Sequence, residues 1–157
     1  MSEGLTHLNA AGAAHMVDVT GREITVRIAD TSAHVYLSSH VVALLRYGKT
    51  PTGDVLATAR IAGIMAAKKT SELIPLCHPI AINSISIELE IIDSGVAIKA
   101  QVITSDRTGV EMEALTAVSV AGLTIIDMVK ALDPAASISD IRIDSKSGGK
   151  NGDWKRA

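Results

Sequence analysis

The run Ala114–Ile126, ALTAVSVAGLTII, carries no charge on any side. A helix at a protein surface keeps a polar face, so a helix that is apolar all round must be covered from more than one direction. One cover is the chain's own sheet. The other is either a neighbouring subunit or the helix expected over 54–69. A neighbouring subunit is the favoured cover, because a chain of 157 residues has few elements to spare. The run is also too short to cross a bilayer, which takes about 20 apolar residues.

The core around such a helix must be built from Ile, Val, Leu, Ala and Met, since the chain has one Trp, two Tyr and no Phe. Small side chains give smooth helix faces that approach closely. The same shortage leaves no platform for stacking bases, and a net charge of −2 lacks a basic footprint, so no nucleic-acid partner is expected. With 47% hydrophobic and 20% charged residues the composition is that of an ordinary globular protein, and the length suits a single domain over 1–157. One cysteine cannot form an internal disulfide, and the start shows no basic stretch followed by an apolar run. A reducing, cytoplasmic setting without a membrane partner is therefore expected.

Along the chain, residues 1–20 are rich in Gly, Ala, Asn and Thr and suggest a partly mobile arm. Residues 22–38 are rich in β-branched side chains and predict strand, broken near Ala29–Ser32. A short helix fits 39–47, and YGKTPTGD (47–54) reads as a loop. A helix follows over 54–69, with Asp54 in its first turn and Lys68 and Lys69 in its last. Residues 82–92 and 96–104 alternate about Asp93-Ser94-Gly95, a hairpin signal. The longest helix spans 109–132, opened by a capping box of Thr108 with Glu111 and closed by Asp133-Pro134. A last strand covers 137–144, and 146–157 form a Gly/Lys-rich tail. The order predicts an α+β fold, a mainly antiparallel sheet with helices on one face and ferredoxin-like connectivity.

Three places carry chemistry. Asp127 and Lys130 share a helix face. The ordinary reading is an intrahelical ion pair worth about 0.2–0.5 kcal/mol. Against it, a carboxylate near a helix C-terminus is mildly disfavoured, and a lysine held beside one can serve as general acid or base. Glu111 belongs to the cap, but Glu113 does not. It lies within ~40° of the Asp127 face yet about 21 Å away along the axis, so the two acids serve a long ligand or a site shared by two subunits. Third, SELIPLCHPI (71–80) places Cys77 and His78 between two prolines. No second cysteine or spaced histidine pair is nearby, which excludes a structural zinc site. Neighbours in extended chain point to opposite sides, which argues against a nucleophile pair. The loop reads as a rigid wall presenting backbone groups and His78, with Cys77 as a packing residue. His7, His34 and His40 keep the default reading of structural histidines.

The segments HMVDV (15–19), ATARIAGI (57–64), AAKKT (66–70), LIPLCHP (73–79), TGVEMEALTA (108–117), TIIDMVK (124–130) and KSGGK (146–150) resemble the MoaC family of cyclic pyranopterin monophosphate synthases in molybdenum cofactor biosynthesis. The resemblance covers nearly the whole chain. It implies a ferredoxin-like fold and a homo-hexamer, a trimer of dimers, with active sites between subunits. It implies a lyase that takes a cyclised dihydro-GTP to cyclic pyranopterin monophosphate and diphosphate, with no cofactor and no metal among its site residues. Asp127, Lys130 and His78 match catalytic positions. Leu76, Cys77, His78, Met112 and Glu113 match substrate-binding positions, as do Glu111, Arg27, Lys146 and Lys150. One departure stands out: where the family has Lys-Gly-Asp, this chain has Thr52-Gly53-Asp54. Thr52 supplies no cation. Either Lys49 substitutes for it, or the chain is an impaired homologue that serves as an oligomeric ligand-binding scaffold.

Overall fold

A computed structural model describes residues 5–157. The elements run β1 (Thr25–Tyr36), α1 (Ser39–Arg46), α2 (Val55–Ala67), α3 (Thr70–Leu73), β2 (Ile82–Ile92), β3 (Gly95–Asp106), α4 (Glu111–Val129), β4 (Ser137–Ser147) and β5 (Trp154–Lys155). The strands form one antiparallel sheet in the order β2-β3-β1-β4-β5. Without β5 this is the split β-α-β arrangement of the ferredoxin-like class, as the element order predicted.

Alternation on β1 and β3 decides which face is covered. Ala29, Thr31, Ala33 and Val35 point inward beside Val96, Ile98, Ala100 and Val102. The hydroxyl of Thr31 donates to the Ala114 carbonyl at 2.8 Å, tying the sheet to α4. α4 lies on β1, β3 and β4 and packs sideways on α2. The approach is close because Gly63 of α2 has no side chain: a Cβ there would stand 2.8 Å from the Ala117 carbonyl oxygen and 3.3 Å from the Ala121 Cβ. The smooth faces expected of an aromatic-poor core are used here.

The sheet and α2 therefore supply most of the cover that the charge-free run demands. An apolar remainder stays outside: Leu123 on α4 is 58% exposed, with Ile61 at 60% and Met65 at 55% on α2. α4 is long and apolar enough to match a membrane span by length and composition, but half of that window is buried inside the chain.

Several boundaries differ from expectation. β1 runs unbroken through Ala29–Ser32; the irregularity lies in its pairing with β4, whose register shifts at Asp30/Thr31 and again at Ser32/His34. The capping box does not form. Val110, not Thr108, is the N-cap of α4 and its hydrocarbon side chain makes no cap hydrogen bond, while Glu111 pairs with Lys146. Asp54 is the N-cap of α2 rather than a first-turn residue, accepting from the Ala57 N–H at 2.9 Å. Lys68 is its C-cap, and Lys69 lies beyond. The tail is ordered as β5, which pairs Lys146 with Trp154. The arm is folded on itself from residue 5 onward through a Leu8–Ala14 bridge and an Asn9 side chain that accepts from Ala11 and Ala13. Its first four residues lie outside the described ones.

Candidate active site

A cavity of about 800 Å³ opens where five segments meet: the arm, the start of β1, the 76–80 loop, the start of α4, and the end of β4 with its glycine turn. Its lining contains Leu76, Cys77, His78, Glu111, Met112, Glu113, Arg27, Lys146 and Lys150. The expected substrate-binding residues thus converge on one space, although they come from distant parts of the sequence.

Local structure explains each placement. Pro75 begins a turn, and the Cys77 N–H donates to the Ile74 carbonyl at 3.1 Å. The chain turns here rather than running extended, and Cys77 and His78 both line the cavity. The His78 Nε2 lies 2.6 Å from the Val17 carbonyl oxygen of the arm. Burial, and then the charge of Glu113, push the Cys77 thiol up. A thiol so held is a poor thiolate source, which supports its reading as a wall residue.

Glu113 is 4% exposed. Burial, with a smaller contribution from the charge of Glu111, pushes its carboxyl up to about 7. It therefore sits where one group can hold or release a proton near neutrality. Glu111 faces the Lys146 ammonium at 3.2 Å. The Arg27 guanidinium donates to the Asp106 and Arg107 carbonyls at 3.1 and 3.2 Å, which fixes its plane. The glycine turn lies directly on it. Gly149 has φ +84°, and a Cβ there would stand 2.2 Å from Arg27 Nη1. The glycines of KSGGK thus let the backbone lie close against the chain's own arginine.

Asp127 and Lys130 are elsewhere. They form an ion pair with each other at the far end of α4, with side chains 70% and 62% exposed. The Thr52 hydroxyl donates to the Met128 carbonyl at 2.8 Å, which brings the 47–54 loop to the same end. One chain therefore holds the residues singled out from the sequence in two separated groups at opposite ends of one helix. Among the described residues, no group of three or more His, Cys, Asp or Glu side chains comes together to hold a metal ion.

The arm is what the residue-level reading missed. Thr6, His7, Val17, Val19 and Arg22 also line the cavity. His7, read as a default histidine, is among them. The available signal was local: Asp18 accepts from both the N–H and the hydroxyl of Thr20, a turn legible in the D-x-T spacing that fixes the chain beside Val17.

The ferredoxin-like sheet carries a cavity lined by two acids, Glu111 and Glu113, two histidines, His7 and His78, and four cations, Arg22, Arg27, Lys146 and Lys150, a lining of the kind that suits polyanionic small molecules. The MoaC family model matches residues 16–149. Cyclic pyranopterin monophosphate synthase from Streptomyces avermitilis is 59% identical over 153 residues, covering 98% of this chain and 90% of that protein. The protein of the same name from a Nocardioides species is 59% identical, over 97% of this chain and 95% of its own length. Cyclic pyranopterin monophosphate synthase 2 of Mycobacterium tuberculosis is 53% identical, over 97% and 91%. The chain belongs to the MoaC family.

Proposed function

We propose that this chain converts the cyclised dihydro-GTP intermediate into cyclic pyranopterin monophosphate with release of diphosphate, at a site completed between two copies of itself. As a member of the MoaC family it is a lyase of molybdenum cofactor biosynthesis. The observation that carries the finer reading is the separation of the two residue groups. The cavity holds the binding residues, while Asp127 and Lys130 lie exposed at the other end of α4. A neighbouring chain that presents its Asp127–Lys130 end to the cavity unites them, and the hexamer implied by the resemblance supplies such neighbours.

The residue types suit the chemistry. Arg27, Lys146, Lys150 and the N–H groups of the glycine turn meet a triphosphate. A sugar hydroxyl attacks the phosphorus nearest the sugar, its proton passes to a base, and the bond to diphosphate breaks. Positive charge at the leaving oxygens favours that step. Breaking and remaking ring C–N bonds needs protons moved at neutral pH, which suits Lys130 with Asp127, and His78 and Glu113 within the cavity.

Thr52 supports a second reading. Its hydroxyl is bonded to the Met128 carbonyl, beside the Asp127–Lys130 pair, and brings no charge to that end. On that reading the chain binds the intermediate as an oligomeric scaffold without turning it over. Incubating the purified protein with the cyclised GTP intermediate and measuring diphosphate decides between them. Turnover supports the synthase. Saturable binding without diphosphate supports the scaffold.

A further inference from the structure

We propose that the N-terminal arm, through the Val17 carbonyl, locks the ring of His78 with its proton on Nε2, so that Nδ1 is the nitrogen presented to the substrate. The inference rests on the cavity being the substrate site, and it adds Val17 as a positioning residue.

A carbonyl oxygen only accepts, so at 2.6 Å the Nε2 of His78 must donate. A neutral imidazole that carries its proton on one nitrogen has a lone pair on the other. Among the described residues Nδ1 has no hydrogen-bond partner, and His78 lines the cavity. The bond is long-range in sequence, so nothing in the 71–80 loop itself fixes the ring.

The arm is built to hold that carbonyl in place. The His15 N–H donates to the His7 carbonyl at 3.0 Å, which closes the strap before Val17. Just after it, Asp18 is pinned by Thr20 at 2.9 and 2.6 Å. These hydrogen bonds hold the Asp18 carboxyl below the ordinary range, and a positive charge on His78 lowers it further when the ring carries one. When Nδ1 takes a proton from a substrate O–H or N–H, the ring becomes an imidazolium. The Nε2–H bond to Val17 persists, and the Asp18 carboxylate faces the new charge. The proton returns from Nδ1 to the departing group or to water.

The test is nitrogen NMR on full-length protein labelled with 15N-histidine, the His78 signals being assigned by their loss in His78→Asn. The inference expects a pyrrole-type Nε2 and a pyridine-type Nδ1. A pyrrole-type Nδ1, or two averaged nitrogens, overturns it. A second measurement replaces the Val17–Asp18 amide by an ester through semisynthesis, which weakens that acceptor and removes the Asp18 N–H, a donor with no hydrogen-bond partner among the described residues. It is expected to mix the tautomers and lower kcat about tenfold, the effect of losing one hydrogen bond, with KM little changed. An unchanged tautomer and unchanged kcat overturn the role of Val17. The NMR result does not depend on turnover. An Nε2–H tautomer in a protein that releases no diphosphate supports the inference while the synthase reading fails.

Discussion

Replacing Glu113 by Gln changes how stability depends on pH. The carboxyl is raised from its ordinary 4.5 to about 7, chiefly by burial. Between those values the folded protein keeps a proton that the unfolded chain has released. Raising the pH therefore favours unfolding, by about 1.4 kcal/mol per pH unit. The stability tied to that proton is complete below pH 4.5 and is lost as the pH rises through about 7. Across the window the loss comes to roughly 3 kcal/mol. Glutamine keeps the shape and cannot ionise, so Glu113→Gln lacks this loss. The assay is urea unfolding of both proteins by circular dichroism, at fixed protein concentration, from pH 4.5 to 8. The difference in unfolding free energy is expected to move in favour of the variant by roughly 3 kcal/mol over that range. Only the change with pH is used, so a constant cost of the amide cancels. A difference that stays flat would refute the reasoning, because it would mean that a cation, not burial, governs Glu113.

Other perturbations separate packing from chemistry. Gly63→Ala gains about 1 kcal/mol of helix propensity but overpacks the α2–α4 contact at a cost of about 1–3 kcal/mol. A net destabilisation of up to about 2 kcal/mol is expected by urea unfolding, and a stabilised variant would contradict the contact. Thr52→Lys places a cation at the Asp127–Lys130 end of α4 and is expected to raise diphosphate release; no gain would show that the 47–54 loop does not serve the reaction. Cys77→Ala is expected to keep most activity in the same assay, because burial holds the thiol protonated; a loss beyond about a hundredfold would make the sulfur a reacting group.

Much of the fold was legible because it follows from local chemistry. Alternation placed the β2–β3 hairpin, and Gly95 marks its close approach: a Cβ there would stand 1.8 Å from the Val35 carbonyl oxygen. α4 ends at Val129, short of the expected stop at Asp133, and the Asp133 carboxylate instead accepts from the Ser38 N–H at 2.7 Å. The misses arose where a distant partner outbid a local one. Glu111 pairs with Lys146, which is near only after β4 has folded against β1. The β1–β4 bulges and the β5 pairing depend on register between strands far apart in sequence. The site was legible as residues but not as a place. Motifs named His78, Glu113 and Lys146, yet nothing local announced that the arm would reach His78 through Val17 and line the cavity beside them.

The account turns on one chain's cavity meeting another chain's Asp127–Lys130 end. Mixed assemblies test this directly. His78→Ala damages only the cavity, and Lys130→Ala only the far end of α4. Each alone is expected to be inactive. Subunits refolded together in equal amounts should place an intact cavity against an intact Lys130 at about a quarter of their sites by random pairing. Diphosphate release is then predicted to recover to about that fraction of the parent rate. A mixture no more active than either variant alone would contradict the shared site.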